Sequence, residues 1–101
     1  DLLLDATRLE SGLLQPKPEW CDAAEIVQEA RVRAGLSQDA LAVEIPAGLP
    51  HIRTDPGLAA QALAMLISNA VTHGSPHEPP LCQVQREGEC VRFDVKDRDT
   101  A

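Results

Sequence analysis

The chain has 101 residues, 44% of them hydrophobic, and a formal net charge of -7. This length allows one small domain or a part of a larger one, and the hydrophobic fraction is sufficient for a core. The excess of acidic residues, with no cluster of Lys and Arg, argues against a nucleic-acid-binding surface.

The sequence lacks the cysteine motifs, membrane-spanning segments and signal peptide that would place it outside the cytoplasm. Its three cysteines, Cys21, Cys82 and Cys90, form no C-x-x-C pair, which argues against a structural zinc site or a disulfide framework and favours a reducing cytoplasm. No apolar run approaches the roughly 20 residues of a membrane-spanning helix, so we expect no membrane contact by this segment. The chain has neither a signal peptide nor an initiating Met, and we expect it to be a segment of a longer protein.

The first ten residues carry Leu2, Leu3, Ala6 and Leu9 at helical spacing. This spacing predicts a helix over residues 1–10 that ends at Ser11-Gly12 and forms the tail of a longer helix. An ordinary amphipathic surface helix is the alternative. Two prolines within residues 15–20 then predict an extended segment that leads into an edge strand.

A second helix is predicted to begin at Asp22, a good N-cap, and to stop at Gly35. Its apolar residues share one buried stripe, formed by Ala23, Ile26, Val27, Ala30 and Ala34. Residues 40–45 alternate in polarity, which predicts a half-buried strand with Leu41, Val43 and Ile45 pointing inward. Residues 51–53 predict another short strand.

The longest predicted helix covers residues 55–74, with Asp55 as N-cap, Pro56 at the first position and Gly74 as a left-handed C-cap. One face is aliphatic. Another side carries uncharged polar residues, namely Gln61, Ser68, Asn69, Thr72 and His73. This polar arc indicates the wall of a pocket, and a core helix with a few satisfied polar groups explains the periodicity equally well.

Residues 81–96 predict a β-hairpin with its turn at Glu87-Gly88, which pairs Val84 with Val91. The core face of this hairpin would consist of Cys82, Val84, Val91, Phe93 and Val95, with Cys90 on the opposite face. The order of helices and strands predicts an α+β protein, a two-layer α/β sandwich with strands on one face of two helices.

The pattern D-x-x-x-x-x-Q-x-L-x-x-L-x-x-N-A-x-x-H runs from Asp55 through Asn69 to His73. It resembles the N-box helix of sensor histidine kinases of two-component systems, in their GHKL-type (HATPase_c, Bergerat-fold) ATP-binding domain. Leu49, Pro50 and Asp55 also match the approach to that helix. Near the N-terminus, L-L-D-x-x-R-L-E-x-G over residues 3–12 resembles the end of the dimerisation and phosphotransfer helix.

This resemblance implies an incomplete GHKL fold in two parts. Residues 1–12 would be the end of the dimerisation and phosphotransfer helix with its linker, and residues 13–101 the N-terminal part of the ATP-binding domain. The parent protein would be an ATP-dependent protein-histidine kinase with ATP and Mg²⁺ as cofactors. Its partners would be the phosphoacceptor helix of the same kinase and a response regulator.

The resemblance also implies roles for individual residues. Asn69 would be a Mg²⁺ ligand, His73 would lie along the bound ATP, and Thr72 would bind ATP near its phosphates. Asp97 stands at the start of a box similar to D-x-G-x-G, where the family's Asp accepts a hydrogen bond from the adenine amino group.

Four positions depart from the family pattern. Met65 stands where many members have a first Asn, and Ser68 where an acidic residue assists proton transfer. Thr72 replaces a Lys or Arg near the phosphates, and Asp99 replaces the first glycine of the D-x-G-x-G box. The sequence also ends before the ATP lid. We therefore expect this segment alone to be inactive and to bind Mg-ATP weakly or not at all.

The alternative is a degenerate, non-catalytic GHKL-like scaffold or dimerisation module. An incomplete sandwich leaves a sheet edge uncovered, which predicts self-association as a homodimer.

Overall fold

The structure is a computed structural model that describes residues 17–74 and 77–97 and the backbone of residues 2–5. The elements in chain order are β1 (Leu2–Asp5), β2 (Glu19–Cys21), α1 (Ala23–Arg33), a 3-10 helix (Gln38–Ala40), β3 (Ala42–Glu44), β4 (Ile52–Thr54), α2 (Pro56–His73), β5 (Leu81–Glu87) and β6 (Cys90–Lys96). Two helices combined with mixed sheets confirm the predicted α+β class, and the arrangement is compatible with a two-layer α/β sandwich.

The strands form two sheets. A four-stranded sheet has the order β1-β6-β5-β3, and β2 pairs with β4 in a two-stranded sheet. All neighbours are antiparallel except β3 and β5, which run parallel. The predicted edge strand after the two prolines is β2, whose Trp20 lies opposite Arg53 of β4.

The predicted helix over residues 1–10 is wrong at its start, because Leu2–Asp5 forms the strand β1. This strand lies antiparallel to β6, with Leu2 opposite Phe93 and Asp5 opposite Cys90. Three consecutive leucines are compatible with a strand as well as with a helix. The strand forms because the edge of β6 provides backbone hydrogen-bond partners for it. Residues 6–16, and with them the predicted boundary between residues 12 and 13, lie outside the described residues, so the division into two parts stays a prediction.

Helix α1 begins and ends where its sequence predicts. The Asp22 side chain accepts a hydrogen bond of 2.9 Å from the backbone N–H of Ala24, and Gly35 leaves the helix with a φ of 76°. The predicted stripe faces the core: Ala23, Ile26, Val27 and Ala30 are buried, and Ala34 packs partly buried against them.

Helix α2 is capped by Asp55, whose Oδ1 accepts a hydrogen bond of 3.1 Å from the backbone N–H of Leu58. Its C-cap differs from the prediction, because Gly74 has an extended backbone with φ -89° and ψ 179°. Glycine is needed there for space. A Cβ on Gly74 would lie 2.7 Å from the Ala70 carbonyl oxygen and 3.1 Å from Cβ of Asp97.

The hairpin turn consists of Gly88 and Glu89, one residue later than predicted. Glu87 therefore pairs with Cys90, and Val84 with Phe93. Gly88 has a φ of 65°, the left-handed conformation that the first residue of such a two-residue loop requires. The register differs from the predicted one by two residues, so the predicted core face is preserved: Cys82, Val84, Val91 and Phe93 are buried, and Val95 packs partly buried against them.

Between the two layers lies a mostly aliphatic core. Its largest fully buried side chains are Phe93, Ile26, Ile52, Leu63 and Ile67. The predicted inward alternation of residues 41–45 fails at Val43, which remains 43% exposed on the edge strand β3. In the described part of the chain, no helix is long and apolar enough to cross a membrane.

Candidate functional site on helix α2

The outward side of α2 borders an open groove of about 660 Å³. Six residues of α2 line it together with Arg33 of α1: Gln61, Ala64, Met65, Ser68, Asn69 and Thr72. Their spacing of three or four residues places them on one side of the helix. The predicted polar arc therefore borders a concave surface, as a pocket wall would.

Asn69 lies exposed in this groove. Within the described ranges its amide makes no hydrogen bond to another side chain, which leaves its oxygen available to a cation. No cluster of three or more His, Cys, Asp or Glu side chains occurs among the residues that the structure describes. A cation bound at Asn69 would need further oxygen ligands, and Mg²⁺ usually takes such ligands from water and phosphate.

The groove carries little positive charge for phosphate groups. The Thr72 hydroxyl donates a hydrogen bond of 2.9 Å to the Ser68 carbonyl oxygen, so its proton is already engaged. Arg33 is the cation among the described lining residues, and its Nε donates to Oε2 of Glu29 at 3.0 Å. Much of the charge that Arg33 brings is therefore offset by its neighbour.

The other two predicted residues lie near the C-terminal end of α2. His73 is exposed in the last turn. Asp97 is exposed directly after β6, and its Cβ lies close to Gly74. The structure thus places Asn69 and Thr72 on the groove, while His73 and Asp97 lie outside the residues that line it. The roles assigned to all four residues stay predictions.

Asp94 is a buried acidic residue that the sequence did not single out. One carboxylate oxygen accepts a hydrogen bond of 3.0 Å from Nε of Arg92, and the other accepts from Nε2 of Gln85 at 3.4 Å. The pKa of the Arg92 guanidinium is raised by its hydrogen bond with Asp94 and, to a smaller extent, by its hydrogen bond with Glu87. The alternation in β6 assigns Asp94 to the polar face and does not predict its burial. The polar residues Arg92 and Gln85 were the only sequence signal that Asp94 could belong to a hydrogen-bond network.

Two thiols are held in the protonated form. Burial, and then the charge of Asp94, raises the pKa of Cys82 to about 11. Burial also raises the pKa of Cys21, with a further contribution from Glu19. Since the thiolate is the reactive form of cysteine, neither residue is suited to nucleophilic chemistry at neutral pH.

Three curated bacterial proteins are similar to nearly the whole chain. A bacteriophytochrome of Pseudomonas aeruginosa is 34% identical over 96 residues, which are 92% of this chain and 13% of that protein. The sensor protein KdpD of Escherichia coli is 32% identical over 97 residues, and KdpD of Rathayibacter rathayi is 26% identical over 95 residues. Each of these two matches covers 94% of this chain and 11% of the KdpD protein.

The chain therefore spans about an eighth or less of the length of the curated relatives it matches. No family model and no solved structure matches it. The similarities relate the chain to a segment of sensor proteins.

Proposed function

We propose that this chain is part of the ATP-binding domain of a sensor histidine kinase. In the whole protein, the domain would transfer phosphate to a histidine on the phosphoacceptor helix for relay to a response regulator. One observation carries the proposal: the N-box-like residues from Asp55 to His73 belong to a single capped helix that turns Asn69 toward a groove. Similarity to KdpD sensor proteins along most of the chain supports it.

In this proposal Asn69 supplies an oxygen ligand to Mg²⁺, and the metal supplies the charge neutralisation that phosphoryl transfer requires. Thr72 and His73 would bind the nucleotide, and Asp97 would accept a hydrogen bond from the adenine amino group. The exposed amide oxygen of Asn69 is a ligand of the kind that Mg²⁺ prefers. The fit to the phosphates is poorer, because Arg33 is already paired with Glu29.

A degenerate scaffold is the second candidate, and the surface of the groove favours it. Met65, which stands where many kinases have another Asn, is 68% exposed in the middle of the groove. A thioether is a poor ligand for Mg²⁺, which prefers oxygen. A protein of this kind would keep the fold as a platform for partners and would have no use for ATP.

Titration of the isotopically labelled chain with Mg-ATP, followed by NMR, distinguishes the two candidates. The kinase proposal predicts chemical-shift changes at the Asn69 side-chain amide, at His73 and at Asp97 when Mg-ATP reaches millimolar concentration. Asn69→Ala should remove the dependence on Mg²⁺. Gln28→Ala, at an exposed position of α1 outside the groove, is the control and should leave it unchanged.

The absence of any shift along α2 at millimolar Mg-ATP would remove the support for a nucleotide site in this segment and favour the scaffold. Isothermal titration adds a check on affinity. Because the groove is open and short of free cations, we expect a dissociation constant weaker than the low micromolar range. A low micromolar value would contradict the expected weak binding while supporting the site itself.

A further inference from the structure

Arg33 of α1 lines two grooves, the one that contains Asn69 and a second, of about 350 Å³, at the start of α2. Its guanidinium is directed toward the second groove. Nε donates to Oε2 of Glu29 at 3.0 Å, and Nη2 lies 3.8 Å from the position that a Cβ on Gly57 would take. Gly57 and Asn69 are separated by about 18 Å along the axis of α2. The charge of Arg33 is therefore turned away from Asn69.

The backbone of Arg33, in contrast, lies beside the C-terminal half of α2. The two helices run side by side in the same direction, because Glu25 and Pro56 near their starts line one groove, and Leu36 and Ala70 near their ends line another. Arg33 is the last residue of α1, three positions before Leu36. A change of side-chain rotamer can therefore direct the guanidinium toward the groove that contains Asn69.

The ion pair that holds the guanidinium in its present direction is weak. Arg33 and Glu29 lie one turn apart on α1, and their side chains are 42% and 53% exposed. Exposed pairs of this kind shift an equilibrium by only about twofold. Nη1 and Nη2 of Arg33 donate no hydrogen bond to the residues that the structure describes. The guanidinium can therefore be released at little cost.

A phosphate group in the groove would compete well for this guanidinium. Phosphate oxygens accept two parallel hydrogen bonds from an arginine fork, in addition to the attraction between the charges. The other described residues that line the groove are uncharged, and the Thr72 hydroxyl already donates to Ser68. Apart from a metal ion at Asn69, Arg33 is the positive charge that the described lining can offer to phosphates.

We propose that Arg33 is a phosphate-binding residue, which Glu29 holds away from Asn69 until a nucleotide binds. On binding, the guanidinium leaves Glu29, turns toward Asn69 and donates hydrogen bonds to the phosphate oxygens of Mg-ATP. This step exchanges one ion pair for another and breaks no covalent bond. The inference rests on the proposed ATP site and adds a residue of α1 to it.

NMR of the arginine Nε–H groups follows this exchange directly. The probe is Mg-ATP, and its control is adenosine at the same Mg²⁺ concentration, which has the base and ribose but no phosphate. We expect the Nε–H signal of Arg33 to shift with Mg-ATP and to stay unchanged with adenosine. The signal of Arg53, exposed on β4 outside the groove, is the internal control and should not move.

Variants of the ion pair supply the second arm, with the Asn69 side-chain amide signal as the readout of affinity. R33Q should weaken the binding of Mg-ATP by about tenfold, since hydrogen bonds to a charged group are lost. E29Q should strengthen it by about twofold, because the competing carboxylate is removed.

Each variant has a control with the same change of charge. E25Q lies one turn earlier on α1 and outside the groove that contains Asn69, and R53Q lies on β4. Both controls should bind Mg-ATP with nearly the affinity of the unmodified chain. All four substitutions are at exposed positions, so folding should be preserved.

The outcomes separate this inference from the proposed function. A shift of the Asn69 amide with Mg-ATP, combined with an unmoved Arg33 signal, would overturn the role of Arg33 and leave the ATP site standing. Equal effects of R33Q and R53Q, or of E29Q and E25Q, would do the same. The absence of a shift at both Asn69 and Arg33 would remove the support for the ATP site and overturn this inference with it.

Discussion

At the residue scale, the side chain of Asp55 accepts hydrogen bonds from two separate parts of the backbone. Its Oδ1 accepts from the backbone N–H of Leu58 at 3.1 Å and caps α2. Its Oδ2 accepts from the backbone N–H of Lys17 at 2.8 Å and ties the segment before β2 to the same point. These backbone hydrogen bonds lower the pKa of Asp55 below its usual 3.8. The charged form is therefore the one that stabilises the fold.

We predict that Asp55→Ala lowers the free energy of unfolding by about 1–2 kcal/mol at neutral pH, the usual effect of losing an N-cap. Since the folded state has the lower pKa, the stabilisation is present above the unfolded value of 3.8 and is lost as pH falls through the folded value. Urea denaturation at neutral and acidic pH measures both effects. A difference in the free energy of unfolding between Asp55→Ala and the unmodified chain that stays constant in acid would contradict this account. Asp39→Ala is the control.

Gly74→Ala tests the close contact at the end of α2. The new methyl group would lie 2.7 Å from the Ala70 carbonyl oxygen, so the chain must shift. We expect the free energy of unfolding to fall by about 1–3 kcal/mol, as for other overpacking substitutions. Gly57→Ala is the matched control, because its closest neighbour is the Asp55 side-chain oxygen at 3.3 Å. Thermal unfolding should show a clearly smaller change for Gly57→Ala.

At the scale of elements, the helices and strands that the sequence predicts correctly are those with local start and stop signals or a clear periodicity. Helix α2 was predictable because Asp55 and Pro56 mark its start and its aliphatic residues keep a helical period. The hairpin faces were predictable from alternation, but the turn was shifted because the sequence does not fix whether Gly88 is the first or second loop residue. Strand β1 was missed because its partner β6 lies almost 90 residues away.

In the candidate site, too, local spacing predicted the position of some residues, whereas the position of others depends on distant parts of the chain. Helical spacing alone placed Asn69 and Thr72 on one groove. Asp97 follows the inward alternation of β6, yet it is exposed because the strand ends at Lys96. The burial of Asp94 could not be predicted from β6 alone, since Asp94 also accepts a hydrogen bond from Gln85 of β5.

We predict that Asp94→Ala destabilises the β5–β6 hairpin. The substitution removes the carboxylate that accepts hydrogen bonds from Nε2 of Gln85 and Nε of Arg92. The free energy of unfolding should fall by about 1.5–3 kcal/mol, the usual contribution of hydrogen bonds to a charged group. Glu87→Ala removes the exposed partner of Arg92 and should have a much smaller effect in urea denaturation. Equal effects would show that Asp94 is not the central member of the network.

At the scale of the whole molecule, charge and surface apolarity act against each other. A net charge of -7 opposes self-association. The edge strand β3 meanwhile exposes Val43, and in the described part of the chain it pairs only with β5 on its other side. Unpaired backbone groups on a strand edge are a template for another chain. Which tendency prevails depends on ionic strength, because salt screens the repulsion and leaves the edge unchanged.

We therefore predict that self-association increases with salt. Light scattering should give the monomer mass at low ionic strength and a rising average mass in concentrated protein at high ionic strength. Val43→Lys adds a charge to the edge and should keep the protein monomeric under both conditions. Val32→Lys is the matched control, because Val32 is similarly exposed but lies on α1, away from the sheet edge. A strictly monomeric mass at high salt, or an equal effect of the two variants, would exclude β3 as the contact between copies.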